Sequence, residues 1–206
     1  MIMAAPVILK KPSATYADLE AVPPNLVAEI LGGELVTHPR PLPRHGIAGS
    51  ALGTVVGSSF QFGISGPGGW IFIDEPELHF GRDVVVPDLA GWKRERMPSL
   101  PEQVGITIRP DWVCEIISPS TAKHDRTIKL EIYHRAGVAH LWYVDPAYRT
   151  LEVFKRQADR WLLLASFAGA DAVRAEPFDA IEFSLAVLWP LDPPAAEPAS
   201  PSSASD

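Results

Sequence analysis

Val84-Val85-Val86-Pro87-Asp88 and Trp112-Val113-Cys114-Glu115-Ile116-Ile117, the latter running into Ser118-Pro119-Ser120-Thr121, are the two stretches on which the fold turns. Each is a short apolar run rich in β-branched residues, the pattern of a buried strand. Each also carries one carboxylate. A buried carboxylate is costly unless it is paired or binds a metal. Two such strands delivering one acid each to the same edge can build a divalent-metal site. Period-two alternation puts Trp112, Cys114 and Ile116 on one face and Val113, Glu115 and Ile117 on the other. Glu115 therefore shares its face with apolar residues, which argues against a solvent-facing acid.

Outward from these stretches, the chain alternates strand and helix patterns. A short helix follows Ser13 or Thr15, carries Tyr16, Leu19 and Val22, and stops at Pro23-Pro24. Leu26–Leu31 and Glu34–Thr37 form a hairpin about Gly32-Gly33. His38 to Arg44 is proline-rich and irregular. A helix is expected over 45–62, with small residues that allow close packing on a sheet. Strands are expected at 70–73, 77–80, 84–92 and 111–117. The 84–92 strand carries Asp88. A helix over 125–136, capped by Gly137, should place Ile128, Ile132 and Tyr133 on one face, with Asp125 capping its start. A strand at 140–145, a hairpin at 151–154 and 161–164, and a short strand or helix over 180–188 complete the pattern. The six tryptophans are core candidates. The chain divides into an arm over 1–12, one domain over 13–189, and a disordered Pro/Ala/Ser tail over 190–206.

The chain has 206 residues, 47% of them hydrophobic and 21% charged, which is ordinary for a soluble globular protein. Its formal net charge of −7 excludes a generally basic nucleic-acid coat, so contact with nucleic acid needs a local basic patch. Its single cysteine, Cys114, excludes an internal disulfide and reads as a buried thiol. The N-terminal apolar run is short, holds Pro6, and is followed rather than preceded by basic residues, unlike a signal peptide. No stretch approaches the ~20 apolar residues of a membrane span. The expected location is the cytoplasm.

Asp88 and Glu115 offer hard oxygen ligands suited to Mg²⁺ or Mn²⁺. Such an ion, with Lys129 nearby to orient water or neutralise charge, suits phosphodiester hydrolysis better than acyl transfer. Plainer readings stand beside this one. Asp after Pro is commonly a turn or cap residue, a strand Glu often points to solvent, and Lys129 could be a solvated helix lysine. His45 at a helix start could meet phosphate or metal, or simply open the helix. Ser118 and Ser120 could bond substrate or form a plain turn. Tyr133 reads as core or as a support to the site.

Pro87-Asp88-Leu89, Glu115 to Thr121, Asp125-Arg126 with Lys129 and Tyr133, Gly137-Val138, and Leu141-Trp142-Tyr143-Val144-Asp145-Pro146 together resemble the Uma-two family of restriction-endonuclease-like proteins. Glu29 to Leu35 and His45 resemble that family's opening. The likeness covers roughly residues 14–160. The family belongs to the PD-(D/E)XK nuclease superfamily, which implies an α/β, restriction-endonuclease-like core: a mixed central β-sheet flanked by helices. By this resemblance Asp88 and Glu115 are the metal acids and the Ile116 carbonyl is a further ligand. Ile117 stands where the superfamily pattern has lysine, and Lys129 is the natural substitute. Glu29 or Glu34 would be the N-terminal acid that completes some sites.

The implied function is Mg²⁺- or Mn²⁺-dependent endonuclease cleavage of DNA by metal-activated water. Lys123, Arg126 and the Lys93-Arg94-Glu95-Arg96 run are candidates for a basic rim, with Ser118 also placed to meet substrate. A homodimer is the simplest way to cut both strands. Alternatives are a catalytically inactive binding or assembly module on the same scaffold, and a hydrolase of small phosphoesters.

Overall fold

The computed structural model describes residues 13–191. The arm expected over 1–12 and positions 192–206 of the expected tail lie outside the described residues. Thr15 caps α1 (Tyr16–Glu20), sharing a reciprocal capping box with Asp18. β1 (Leu26–Leu31) and β2 (Glu34–Pro39) pair antiparallel about Gly32-Gly33, whose φ values of 62° and 87° suit a tight hairpin turn that glycine adopts without strain. After α2 (Pro43–Val56), a π-helical turn (Gly57–Gln61) leads to β3 (Trp70–Asp74), β4 (Leu78–Phe80), β5 (Asp83–Val85) and β6 (Leu89–Lys93). β7 (Trp112–Ile116) is followed by α3 (Ala122–His124), a second π-helical turn (Asp125–Lys129) and α4 (Leu130–Ala136). Next come β8 (His140–Asp145), β9 (Thr150–Gln157), β10 (Arg160–Ala168), β11 (Ala172–Val173), β12 (Phe183–Ser184) and a 3₁₀ turn (Leu185–Leu188). Gly137, with φ of 81°, ends α4 as expected.

The central sheet has six strands in the order β10-β9-β8-β7-β6-β3. β7 and β8 are parallel and the other pairs antiparallel, so the sheet is mixed. The helical run 122–136 is the crossover that the parallel pair requires. A smaller sheet has the order β2-β1-β5-β4. The alternation read from β7 holds. Trp112, Cys114 and Ile116 join Ala48, Leu52 and Val56 of α2 in one core layer. Val113 and Ile117 join Ile132 and Tyr133 of α4 in the other.

Three expectations are corrected. The segment 84–92 is not one strand. Val84 and Val85 pair in the small sheet, Leu89 begins pairing in the large one, and Val86-Pro87-Asp88 is the link. Proline has no N–H to give to a ladder, so the break falls beside Pro87. Ile128 does not share the buried face and is 38% exposed. Asp125, Lys129 and Tyr133, spaced by four, form the inward line, and Ile128 lies about 100° to one side of Lys129. Asp125 does not cap the helix either, because helical geometry begins at Ala122, after Thr121.

The chain after β10 closes the α2 side of the core. Phe178, 1% exposed, meets the rings of Phe60, Trp70, Phe72, Trp112 and Trp142 at centroid distances of 4.8–5.6 Å. Phe178→Ala should lower stability by about 3–5 kcal/mol, the usual cost of emptying such a site. At about 2–4 °C per kcal/mol this lowers Tm by roughly 6–20 °C, read by thermal unfolding.

Candidate active site

Leu89 pairs with Cys114 in the antiparallel β6–β7 ladder. One step beyond that pair, Asp88 and Glu115 stand opposite each other at the same end of the sheet. Asp88 Oδ2 accepts the Ile116 amide at 2.6 Å, and His45 Nε2 lies 3.0 Å from Asp88 Oδ1. The small sheet brings Glu29. Its Oε1 accepts the Val86 amide at 2.7 Å, and His38 Nε2 is 3.5 Å from Oε2. The crossover brings Lys129. Its ammonium lies 2.8 Å from Glu115 Oε1, 3.1 Å from Glu29 Oε1 and 3.6 Å from Asp125 Oδ1, and donates to the Val86 carbonyl at 3.1 Å. Tyr133 donates its hydroxyl to Glu115 Oε1 at 2.5 Å.

The link Val86-Pro87-Asp88 explains part of this convergence. Leaving a ladder strands the backbone groups of Val86, and a buried group without a partner is costly. Glu29 takes the amide and Lys129 the carbonyl, so the break between sheets is satisfied by the site itself.

Lys129 is 3% exposed and Glu29 and Glu115 are each 2% exposed, which rejects the solvated readings of all three. Burial pushes the Lys129 ammonium toward losing its proton, but Glu115, Glu29, Tyr133 and Asp125 outweigh it and hold the proton on. Burial likewise raises Glu29, yet Lys129, His38 and the Val86 amide bring it down to about 2. Glu115 goes the other way: burial raises its carboxyl well above the ordinary range, Lys129 opposes, and Asp125, Asp88 and Glu29 add to the rise. Desolvation is also the main cause of the rise at Asp125. Three carboxylates, Glu29, Glu115 and Asp125, thus crowd one ammonium, a donor set short of positive charge.

Asp88, Glu115, Asp125 and Lys129 line one cleft with His38, His45, Glu75, Ser118, Ser120 and Thr121. Its volume is about 40 Å³. At roughly 10–15 Å³ per enclosed water, that admits a small ion and a few waters. Among the described residues, no three His, Cys, Asp or Glu side chains form a complete metal-ligand group. A hard divalent ion needs only one or two carboxylates and retains water, so facing carboxylates with unbalanced charge fit it.

Other expected residues fall differently. Glu34 is exposed at the hairpin end, leaving Glu29 as the small-sheet acid. Ile117 is buried in the core, 8% exposed. The Ile116 side chain belongs to the α2-side core, and its amide holds Asp88. Ser118 bonds Ser120 and Thr121 within its own turn while lining the cleft. Lys123 is exposed near Thr121. Arg126 is committed to Glu152 at 2.6 Å and lies over the Tyr143 ring at 4.9 Å. Lys93 ends β6, whereas Asp88 precedes its start, so the Lys93–Arg96 run sits about 16 Å along the strand direction and is no rim of this cleft. Arg96 there pairs with Asp111 at 2.6 Å. His38 was missed, but its signal was present. A two-residue turn at Gly32-Gly33 pairs Glu29 with Val36 and makes His38 its diagonal, same-face neighbour.

Lys129→Met should cost about 3–5 kcal/mol, since removing one partner leaves buried carboxylates uncompensated. The penalty should also depend on pH. The folded value of Glu29, about 2, lies below its ordinary 4.5, so its contribution is present above pH 4.5 and fades as pH falls toward 2. Without Lys129, the largest influence that lowers this carboxyl is gone, and only His38 and the Val86 amide still oppose burial. The Tm gap between wild type and variant should therefore hold from pH 7 to pH 5 and narrow as pH falls from 4.5 toward 2, as measured by melting in matched buffers.

No curated protein matches the chain. A crystal structure described as a putative nuclease belonging to DUF820, from Anabaena variabilis, superposes with a TM-score of 0.68 at 21% identity, covering 86% of this chain and 98% of that one. That likeness shows the mixed α/β fold. The family model Uma2, described as "Putative restriction endonuclease", matches residues 13–188. With nearly the whole described domain inside that match, the chain belongs to the Uma2 family.

Proposed function

We propose that the chain is a Mg²⁺- or Mn²⁺-dependent endonuclease that hydrolyses DNA phosphodiester bonds at the Asp88–Glu115 cleft. The observation that carries this reading is the pairing of two facing carboxylates with a fully buried, charge-retaining lysine. Family membership supports the nuclease class.

Asp88 and Glu115 would hold the ion, with the Ile116 carbonyl as a third oxygen. When bound, such an ion activates water and offsets charge on the phosphate. The remaining work falls to the chain. The Ile116 amide and His45 fix both oxygens of Asp88. Tyr133 orients Glu115 from inside the core. Lys129 keeps its proton, so it is not the base. It donates hydrogen bonds and supplies positive charge beside the cleft, the role vacated at position 117. Glu29 holds Lys129 from the small sheet and keeps it aimed at Glu115. On the helix side Ser118, which lines the cleft, would meet substrate, with Lys123 exposed close by in sequence and Arg126 held by Glu152.

Wild type should nick and linearise supercoiled plasmid in Mn²⁺ or Mg²⁺, and chelation should stop it. Glu115→Ala and Asp88→Asn, each verified as folded, should lose more than the roughly 10–100-fold that removing a supporting group costs. Metal should raise the Tm of wild type and not of Asp88→Asn. Cleavage by folded Glu115→Ala at the wild-type rate would overturn this reading. Metal-independent DNA binding without cutting by wild type would favour a binding module on the nuclease scaffold.

A further inference from the structure

A chain with net charge −7 and four carboxylates around its cleft repels a polyanion unless cations stand at the entrance. Charge in the sequence points to Lys123 and Arg126 on the helix side and to Lys93–Arg96. Arg126 is tied to Glu152, which leaves Lys123 as the exposed cation of the helix 122–129, and Lys93–Arg96 lies at the far end of β6. Another part of the cleft lining comes from the stretch Pro39-Arg40-Pro41-Leu42-Pro43-Arg44, of which Pro39 and Pro41 line it directly. Pro41 also lines an adjoining hollow of about 240 Å³ that shares His45, Glu75 and Asp88 with the cleft.

We propose that this segment is the wall that grips the phosphate backbone of duplex DNA, with Arg40 and Arg44 as its charged contacts. The inference rests on the nuclease reading and assigns that site its substrate grip. Arg40 Nη1 lies 3.9 Å from Oε2 of Glu75, a cleft-lining residue, which puts the guanidinium beside the cleft. Both partners are well exposed, at 61% and 47%, so this pair is weak and a phosphate can displace the carboxylate. Arg40 Nη2 also donates to the Pro24 carbonyl at 3.3 Å, anchoring the segment to the turn before β1. Arg44 is exposed in the first turn of α2, directly before His45, whose ring reaches Asp88 at 3.0 Å. Prolines at 39, 41 and 43 fix their own φ and restrict the residues before them. Both arginines are therefore carried on a stiff backbone, and little conformational freedom remains to be lost on binding. The first turn of α2 adds its N–H dipoles with no side-chain cap.

The test is duplex oligonucleotide binding across a salt series, in calcium to suppress cutting, with full-length protein. Each lost phosphate contact lowers the slope of log K against log salt by about 0.9. Arg40→Gln/Arg44→Gln should therefore flatten the slope by about 1.8 and weaken binding equally on unrelated sequences. Arg40→Lys/Arg44→Lys should restore most of the slope, since a phosphate contact needs charge more than shape. Lys93→Gln/Arg94→Gln should leave the slope unchanged. A wild-type slope in the Gln double variant overturns the grip and leaves the nuclease reading standing. An equal loss in the Lys93/Arg94 variant also overturns it, by showing a bulk charge effect. Plasmid cutting by wild type, run alongside, separates failure of this inference from failure of the nuclease reading. No DNA binding at low salt together with no cutting would end both.

Discussion

The buried ammonium of Lys129 is the interaction on which the rest of the site depends. Taking a charge out of water costs several kcal/mol, and only close partners with good geometry offset that. Here the partners come from three separate parts of the chain: Glu29 from the small sheet, Glu115 from the large sheet, and the Val86 carbonyl from the link between the sheets. Satisfying one cation therefore fixes the relative positions of both sheets and the crossover helix. The apolar layers on either face of the central sheet supply the bulk of the driving force. Such layers tolerate small shifts, whereas hydrogen bonds near 3 Å do not.

The same arrangement is poorly balanced by itself. Glu29 keeps its charge easily, while Glu115 and Asp125 are pushed toward protonation by burial and by one another. A domain selected for stability alone would replace these acids with apolar residues of similar volume. Local electrostatic cost retained in a cleft is a mark of function, because the groups that cost stability are the ones that meet a ligand.

Much of this was legible in the sequence. The alternation in Trp112–Ile117 gave the two faces of β7, and Gly32-Gly33 gave the hairpin and its register. The clustering of Asp88, Glu115, Lys129 and Glu29 followed from strand order and the family resemblance. What escaped the sequence depended on choices between near-equivalent local states. Val84–Trp92 has the composition of one strand, and only tertiary pairing shows that the chain changes sheets beside Pro87. Ile128 and Lys129 compete for the inward position, and hydrophobicity favours the isoleucine. Three waiting carboxylates reverse that preference. Phe178 lies in a stretch without periodicity, so its place among five aromatic rings was invisible until the chain folded back. Lys93–Arg96 was drawn into the expected rim because charge runs are visible in sequence while the end of the strand they occupy is not.

The link at Val86 also bears on how the molecule breathes. Its amide ends on Glu29 and its carbonyl on Lys129, so exposing that peptide group to solvent requires parting a buried ion pair as well as a hydrogen bond. Loops around active sites usually open at small free energy, ahead of the core. Here the segment carrying Asp88 is tied into the same cooperative unit as the two sheets it joins. Baring the carboxylates accordingly requires parting the two sheets and not merely the opening of a local loop.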